Sequence, residues 1–294
     1  MKTNTRTNEL VPWHSNFFEA LPMYQPVRTL AASFSCFQQW PELDDYRRLL
    51  SEHPPIKTLN GQVLSIVEQA AKPVHFSEHY APRIYYSGEL QTRSNNWHDF
   101  FQFLSWIIFP RTKAMINSIH IPLARERIEQ DEPGQNESKG RRTPLENMLS
   151  LFDEGGVVIL SSDELLLDHI RNFEWKQLFW QRRHELEKKL RCLTFGHAMY
   201  EKGLQPYIGM TANAILLNVD QSIIEQELNA QLSWLDESLA EIFHEGSQYT
   251  APKDLSPFPI LGMPGWLAEN SREAFYDKQS YFRPGRGGTT RKKV

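Results

Sequence analysis

Between Trp97 and His120 the chain reads WHDFFQFLSWIIFPRTKAMINSIH, and hydrophobic side chains fill almost every position from Phe100 to Phe109. A helix that is apolar all round is a buried one. His98 and Asp99 stand at its front edge, and Arg111, Lys113, Asn117 and His120 follow it. Polar groups held beside such a core need partners or a purpose. Asn95 or Asn96 is placed to cap the helix from Trp97, and Pro110 predicts a break near Phe109.

Elsewhere the periodicity is weaker. Phe17, Phe18, Leu21, Leu30 and Phe34 predict an arm with short helices that wraps the body. Ser35–Leu50 has a helical pattern ending in DDYRRLL, and 62–71 reads as a short helix. The β-formers Ile84, Tyr85 and Tyr86 before Ser87-Gly88 read as a strand and turn, with a return strand beyond. Pro144–Phe152 reads as a helix, and Gly155-Gly156 turns the chain into a buried strand at Val157–Leu160. Ser161 and Glu164 have capping-box spacing before another helix. Phe173–Gln181 and Arg183–Leu204 read as two more, the second with Leu186, Leu190, Leu193 and Phe195 inward. Ile215–Val219 is a strand or a buried helix turn. Asp220 caps the clearest amphipathic helix, whose Ile224, Leu228, Leu232, Leu235, Leu239 and Ile242 recur at spacings of three and four. SPFPILGMPGWLAEN is too rich in Pro and Gly for regular structure and reads as a strap anchored by Phe258, Ile260 and Trp266.

These elements predict an α+β protein: a predominantly α-helical single domain with a few short strands, an extended N-terminal arm and a Pro/Gly-rich C-terminal strap. The arm covers 1–53, the main domain 54–284 and a basic tail 285–294. The charged stretch 125–142, with PGQN inside it, reads as an exposed loop.

Composition narrows the function classes. With 294 residues, 40% hydrophobic, the chain can bury a sizeable core. A net charge of −4 gives no global basic field for nucleic acid or anionic membrane. Nucleic acid has only the tail in its favour, where residues 281–294 carry five basic and no acidic side chains around one RGG triplet. Two cysteines, Cys36 and Cys192, make no disulfide framework. The N-terminal segment has no apolar signal-peptide core. The longest apolar run, Phe100–Pro110, falls short of the roughly 20 residues that span a bilayer. The expectation is a soluble cytoplasmic protein without membrane insertion. The sequence has no P-loop, GxGxxG, GxSxG, HExxH or CxxC motif, so it points to no cofactor and to no partner.

Several separated segments, WHDFFQFLSWIIFPRTKAMINSIH, LFDEGG, FEWKQLFW, FGHAMYEK, GMTA, LGMPGW and FYD…FRP, occur in an order that resembles a bacterial family called Domain of Unknown Function 3025. The resemblance covers about Pro54 to Pro284. It implies a bacterial protein, and it implies no activity and no catalytic residues.

The chemistry must therefore be read from the residues. His197 and Glu201 stand four apart and share a helical face, as a general base and its orienting carboxylate would, or as a core histidine bonded to its neighbour would. Asp99 suits a helix N-terminus and is also a candidate acid. Asp153, in DEGG before a strand, is a candidate carboxylate or simply part of a turn. Arg111, with Lys113 and Arg142, forms a candidate anion cradle, or Arg111 pairs with Asp153 or Glu154. His98 and Trp266 complete the candidate ligand-binding residues. Together they suggest a hydrolase-type enzyme with a His–carboxylate centre, perhaps metal-assisted in the sense that carboxylates and imidazoles ligate metals. The alternative is a non-catalytic binding or assembly protein, associated with nucleic acid through its basic tail.

Overall fold

A computed structural model describes residues 11–70, 72–129 and 142–285. Most of the charged loop and all but the first residue of the basic tail lie outside the described residues.

The arm is a chain of short turns followed by α1 (Arg28–Ala32) and α2 (Leu43–Ser51). Strand β1 (Ser65–Glu68) pairs in parallel with β2 (Glu89–Thr92), and α3 (Tyr80–Ser87) lies between them. Two expectations are reversed here. The 62–71 segment is a strand, because Ile66 is buried against the core. Ile84-Tyr85-Tyr86 belongs to a helix, because Pro82 is accommodated in its first turn, where the missing N–H costs nothing. Gly88 closes α3 with φ 71°, and a side chain there would meet the Val63 carbonyl oxygen.

The apolar run forms α4 (Trp97–Ile108), capped by Asn96, whose side chain accepts from the Asp99 N–H at 3.0 Å. The break falls at Phe109, and Pro110 opens α5 (Pro110–Glu129). Next come α6 (Pro144–Gly155), β3 (Gly156–Ser161), α7 (Glu164–Arg171) and α8 (Arg183–Lys189). The cap of α7 is Asp163 and not Ser161. Within Phe173–Gln181 the chain is wound as a π-helical turn at Gln177–Gln181.

The long helix expected over Arg183–Leu204 is three elements. After α8 comes β4 (Leu190–Thr194), then α9 (His197–Gly203). Its inward leucines fit a strand as well as a helix: Leu190, Cys192 and Thr194 alternate with Arg191 and Leu193, and β4 pairs antiparallel with β3. Strand β5 (Thr211–Asn218) lies parallel to β3 on its other side. Asp220 caps a separate short helix, α10 (Gln221–Ile224), and the amphipathic stripe continues in α11 (Leu228–Glu245). The strap is not wholly irregular, since β6 (Ser256–Pro259) pairs antiparallel with β5. The four-stranded sheet therefore runs β4-β3-β5-β6. The architecture is mixed α+β and mainly helical.

Two apolar clusters hold these parts together. In the larger, Trp97, Phe100, Phe101 and Phe103 of α4 meet the arm residues Phe17, Tyr24, Phe34 and Tyr46. Trp13 stacks on Trp97 with ring centroids 4.9 Å apart, and the Trp97 indole donates to the Val11 carbonyl at 2.9 Å. Each such ring contributes roughly 1.5–3 kcal/mol on burial. Trp266 is buried in this cluster too. The second cluster joins Phe109, Phe152, Phe195, Leu235 and Leu239 on the other side of the sheet.

One close approach sets the position of His197. The N–H groups of Phe195 and Gly196 both donate to the Gly156 carbonyl, at 3.1 and 2.9 Å. A Cβ on Gly196 would stand 2.4 Å from both the Glu154 oxygen and the Gly156 nitrogen. Those are backbone atoms and cannot swing aside. Gly196→Ala is expected to destabilise the protein by about 1–3 kcal/mol, the usual range for overpacking, and to shift the His197 resonances. Thermal unfolding and an imidazole NMR spectrum check both; an unchanged melting temperature would contradict the close packing.

Candidate active site

A cavity of about 880 Å³ opens beside α4. Its walls follow from helical spacing. His98, Gln102 and Trp106 stand four apart along α4, and Lys113, Asn117, His120 and Ala124 recur at four, three and four along α5. Glu146, Ser150, Asp153 and Glu154 come from α6, and the N-terminal ends of α3 and α9 add Tyr80 and His197.

At its centre two histidines meet. His98 Nε2 lies 3.0 Å from His197 Nε2, with the rings edge to face. His98 Nδ1 lies 3.1 Å from Glu201 Oε2. His197 Nδ1 lies 3.9 Å from Asp153 Oδ2 and has no hydrogen-bond partner among the described residues. Asp153 Oδ1 in turn takes a hydrogen bond from Lys113 Nζ at 2.5 Å. A chain of contacts thus runs from the exposed Glu201 through both imidazoles to Asp153 and Lys113 inside the cavity.

Local structure places each member. His98 and His197 are in the first turns of α4 and α9, and Tyr200 ties α9 down by donating to the Thr194 carbonyl at 2.6 Å. Glu201, one turn beyond His197, reaches across to α4 instead of pairing with its own helix neighbour. The sequence pairing of His197 with Glu201 is therefore corrected: they belong to one chain, with His98 between them.

The electrostatics divide the two histidines. Burial pushes His197 down to about 3, although Asp153 works in the other direction. The hydrogen bond that His98 Nδ1 donates to Glu201 raises His98 above the ordinary histidine value, against partial burial. Burial also works to raise Asp153, but Lys113 and His197 together hold it below the usual carboxylate range. With one imidazolium in the pair, all three contacts (to Glu201, between the rings, and to Asp153) can each hold a proton. With both rings neutral, one end of the chain faces a carboxylate with a bare nitrogen. A proton taken up by the pair is favoured on His98 over His197.

The other candidate residues fall in different places. Asp99 lines the cavity, but its carboxylate is clamped by Arg93: Nε donates at 2.8 Å, Nη2 at 2.7 Å and the backbone N–H at 2.8 Å. It anchors the start of α4, and nothing in that geometry leaves it a free acid. Arg111 does not line the cavity. It pairs with Glu237, while Asp236 accepts from the Arg111 and Thr112 N–H groups and so caps α5 from α11. The expected Arg111–Asp153 pair is made by Lys113, two positions on and on the inner face of the helix. Trp266 packs in the core away from the cavity. Arg142 lines it with Lys113, so two of the three residues of the proposed cradle share the space.

Sequence reasoning passed over Tyr80, Arg93, Gln102, Trp106 and Glu146. Lys113, Asn117 and His120 carried the one usable signal, polar side chains at helical spacing directly after an apolar helix. Among the described residues, no three His, Cys, Asp or Glu side chains are grouped to hold a metal ion. No helix among them is long and apolar enough to cross a membrane.

Fold and site together define a mixed α+β, mainly helical protein built around a histidine pair in a polar cavity. The chain belongs to the DUF3025 family of proteins of unknown function, whose sequence profile matches residues 64–286. No curated protein and no solved structure matches it.

The depressed His197 has a measurable consequence. Below the ordinary histidine value of 6.5 the unfolded chain binds a proton that folded His197 refuses down to about 3. Stability from this group is therefore lost as pH falls through that window, by on the order of 1 kcal/mol per pH unit. His98 works the other way, its raised value adding stability below 6.5 that is lost as pH rises. His197→Gln is expected to flatten the fall in unfolding free energy between pH 6.5 and 4; denaturant titrations across that range would show equal slopes if His197 were not buried neutral.

Proposed function

We propose that this protein is a hydrolase-type enzyme whose acid–base group is the His98–His197 pair. The observation that carries the reading is the continuous chain Glu201–His98–His197–Asp153 ending in a polar cavity. A structural ion pair does not need two imidazoles in contact. Two imidazoles in contact can relay a proton, because each ring nitrogen can hold or yield one in turn.

The roles follow from the protonation states. In the neutral pair, His98 Nδ1–H donates to Glu201, and His197 Nε2–H donates to His98 Nε2. That leaves His197 Nδ1 bare beside Asp153. A water activated in the cavity gives its proton to His197 Nδ1, and the Nε2 proton of His197 passes to His98. The charge comes to rest on His98, where Glu201 stabilises it, and His197 donates its new N–H towards Asp153. Lys113 keeps Asp153 ionised. The reverse sequence returns a proton to a leaving group. The family resemblance and the free cysteines Cys36 and Cys192 support a bacterial, cytoplasmic setting for this chemistry.

A non-catalytic binding protein would call for an exposed apolar patch. The exposed large hydrophobics among the described residues are spread along the chain from Leu59 to Ile208, close in sequence only as Leu59 with Val63, Tyr80 with Tyr86 and Tyr207 with Ile208, which gives that alternative less support.

The test is a panel of ester, amide, phosphoester and glycoside substrates with wild type and His98→Gln. Turnover of one class is expected, reduced about 10²–10⁴-fold by the substitution at unchanged melting temperature, as for loss of a general base. The wild-type rate should rise with pH through a midpoint above 6.5, because His98 must be unprotonated to accept. Glu201→Gln removes the group that raises His98 and should move that midpoint down. A His98→Gln enzyme as fast as wild type would end the proposal.

A further inference from the structure

The cavity holds polar atoms that the proton chain does not use. Asn117, 5% exposed, donates from Nδ2 to the Ala81 carbonyl at 2.9 Å, which settles the orientation of its amide. Its Oδ1 is left without a partner. The Trp106 indole N–H, 1% exposed, is engaged by the Tyr80 hydroxyl on the same wall. Lys113, 3% exposed, spends one of its three N–H groups on Asp153, and its Nζ lies 5.6 Å from the Trp106 ring centre. Lys113 and Asn117 are four residues apart on α5 and share a face. Leaving such buried groups unpaired is costly, and all three residues line the cavity.

The unpaired set is one acceptor, Asn117 Oδ1, beside the spare N–H donors of Lys113 Nζ. A carboxylate or phosphate would satisfy the donors and repel the Asn117 oxygen. It would also meet Asp153 and Glu154 on the same wall. A hydrocarbon would satisfy none. An amide offers a carbonyl oxygen and an N–H on adjacent atoms, the complement of this set. We infer that the cavity binds a neutral amide, with its N–H donating to Asn117 and its carbonyl accepting from Lys113.

For the chemistry, though not for the binding, this inference rests on the acid–base reading above. A water oxygen bonds to the amide carbon as its proton passes to His197 Nδ1. The C–N bond then breaks, and the pair returns that proton to the departing nitrogen. One water is consumed, and a carboxylic acid and an N–H product are released. Lys113, by polarising the carbonyl, and Asn117, by holding the N–H, orient the bond that breaks.

Glutarimide, N-methylglutarimide and glutarate separate the possibilities as probes of the full-length protein. The Trp106 indole resonance, assigned with Trp106→Phe, reports binding by NMR titration. Glutarimide is expected to bind at least about tenfold more tightly than its N-methyl derivative, the value of one hydrogen bond of favourable geometry. Asn117→Leu should abolish that preference. The comparison of the two imides on wild type stands even if the variant does not fold. Equal binding of both, tighter binding of glutarate, or no response from any probe would each overturn the amide inference. Release of glutaramate by wild type, lost in His98→Gln with glutarimide binding retained, is the outcome expected if both readings hold. Selective, Asn117-dependent binding with no glutaramate at neutral or mildly alkaline pH would keep the amide inference and remove the acid–base reading.

Discussion

The rest of the molecule depends on the burial of α4 on every side. A helix with Trp97, Phe100, Phe101, Phe103, Leu104 and Trp106 all buried has no solvent face on which to discard polar side chains. The arm covers one flank with Trp13, Phe17 and Phe34, and α9 covers another through Tyr200. His98, Asp99 and Gln102 must then find their partners inside the protein. Asp99 does so with Arg93, and His98 with Glu201 and His197. The same burial that stabilises the fold collects the chemistry in one place.

The second constraint is the crossing of α6, β3 and α9. Gly196 lets the chain pass within contact of the Glu154–Gly156 backbone, and the first residue after it is His197. Asp153, one residue before Glu154, then lies opposite the imidazole. Lys113 competes for the same carboxylate with better geometry, at 2.5 Å against 3.9 Å. Burial, with Lys113 beside it, disfavours a proton on His197 and leaves His98 the more basic of the two rings. Both disfavour a charge at the inner ring, whereas at the outer one the hydrogen bond to Glu201, itself half in water, outweighs partial burial.

The sequence made α4, its Asn cap, the Pro110 break, strand β3 and the α11 stripe legible, because in each one local signal dominates: unbroken apolarity, a capping side chain, a missing N–H, or a long run at helical spacing. It misled at Ile84–Tyr86 and over Leu190–Phe195. In the first case β-branched and aromatic propensity lost to a helix closed by Gly88. In the second, leucines three and four apart fitted a helix as well as the alternation of a strand did, and only pairing with β3 decides between them. Of the site, His197, Glu201, His98 and Asp153 were visible as chemistry. Their order was not, because a contact across 99 residues, His98 to His197, leaves no trace in local spacing. Arg111 and Trp266 show the converse: residue type suggested ligand binding, and tertiary partners, Glu237 and the aromatic core, absorb them.

Two kinds of polar burial coexist in this cavity, and they imply different things. Arg93 with Asp99 is fully satisfied, with three hydrogen bonds to one carboxylate, and its removal would be felt as stability. His197 Nδ1 and Asn117 Oδ1 are buried without a hydrogen bond of ordinary geometry. Such groups reduce stability unless water or a ligand satisfies them, and these two stand on one cavity. The arrangement of those atoms, a proton acceptor at one wall and a mixed donor and acceptor pair at another, is what ties the histidine chain to a polar, uncharged ligand and not to the anion that Lys113 and Arg142 alone would suggest.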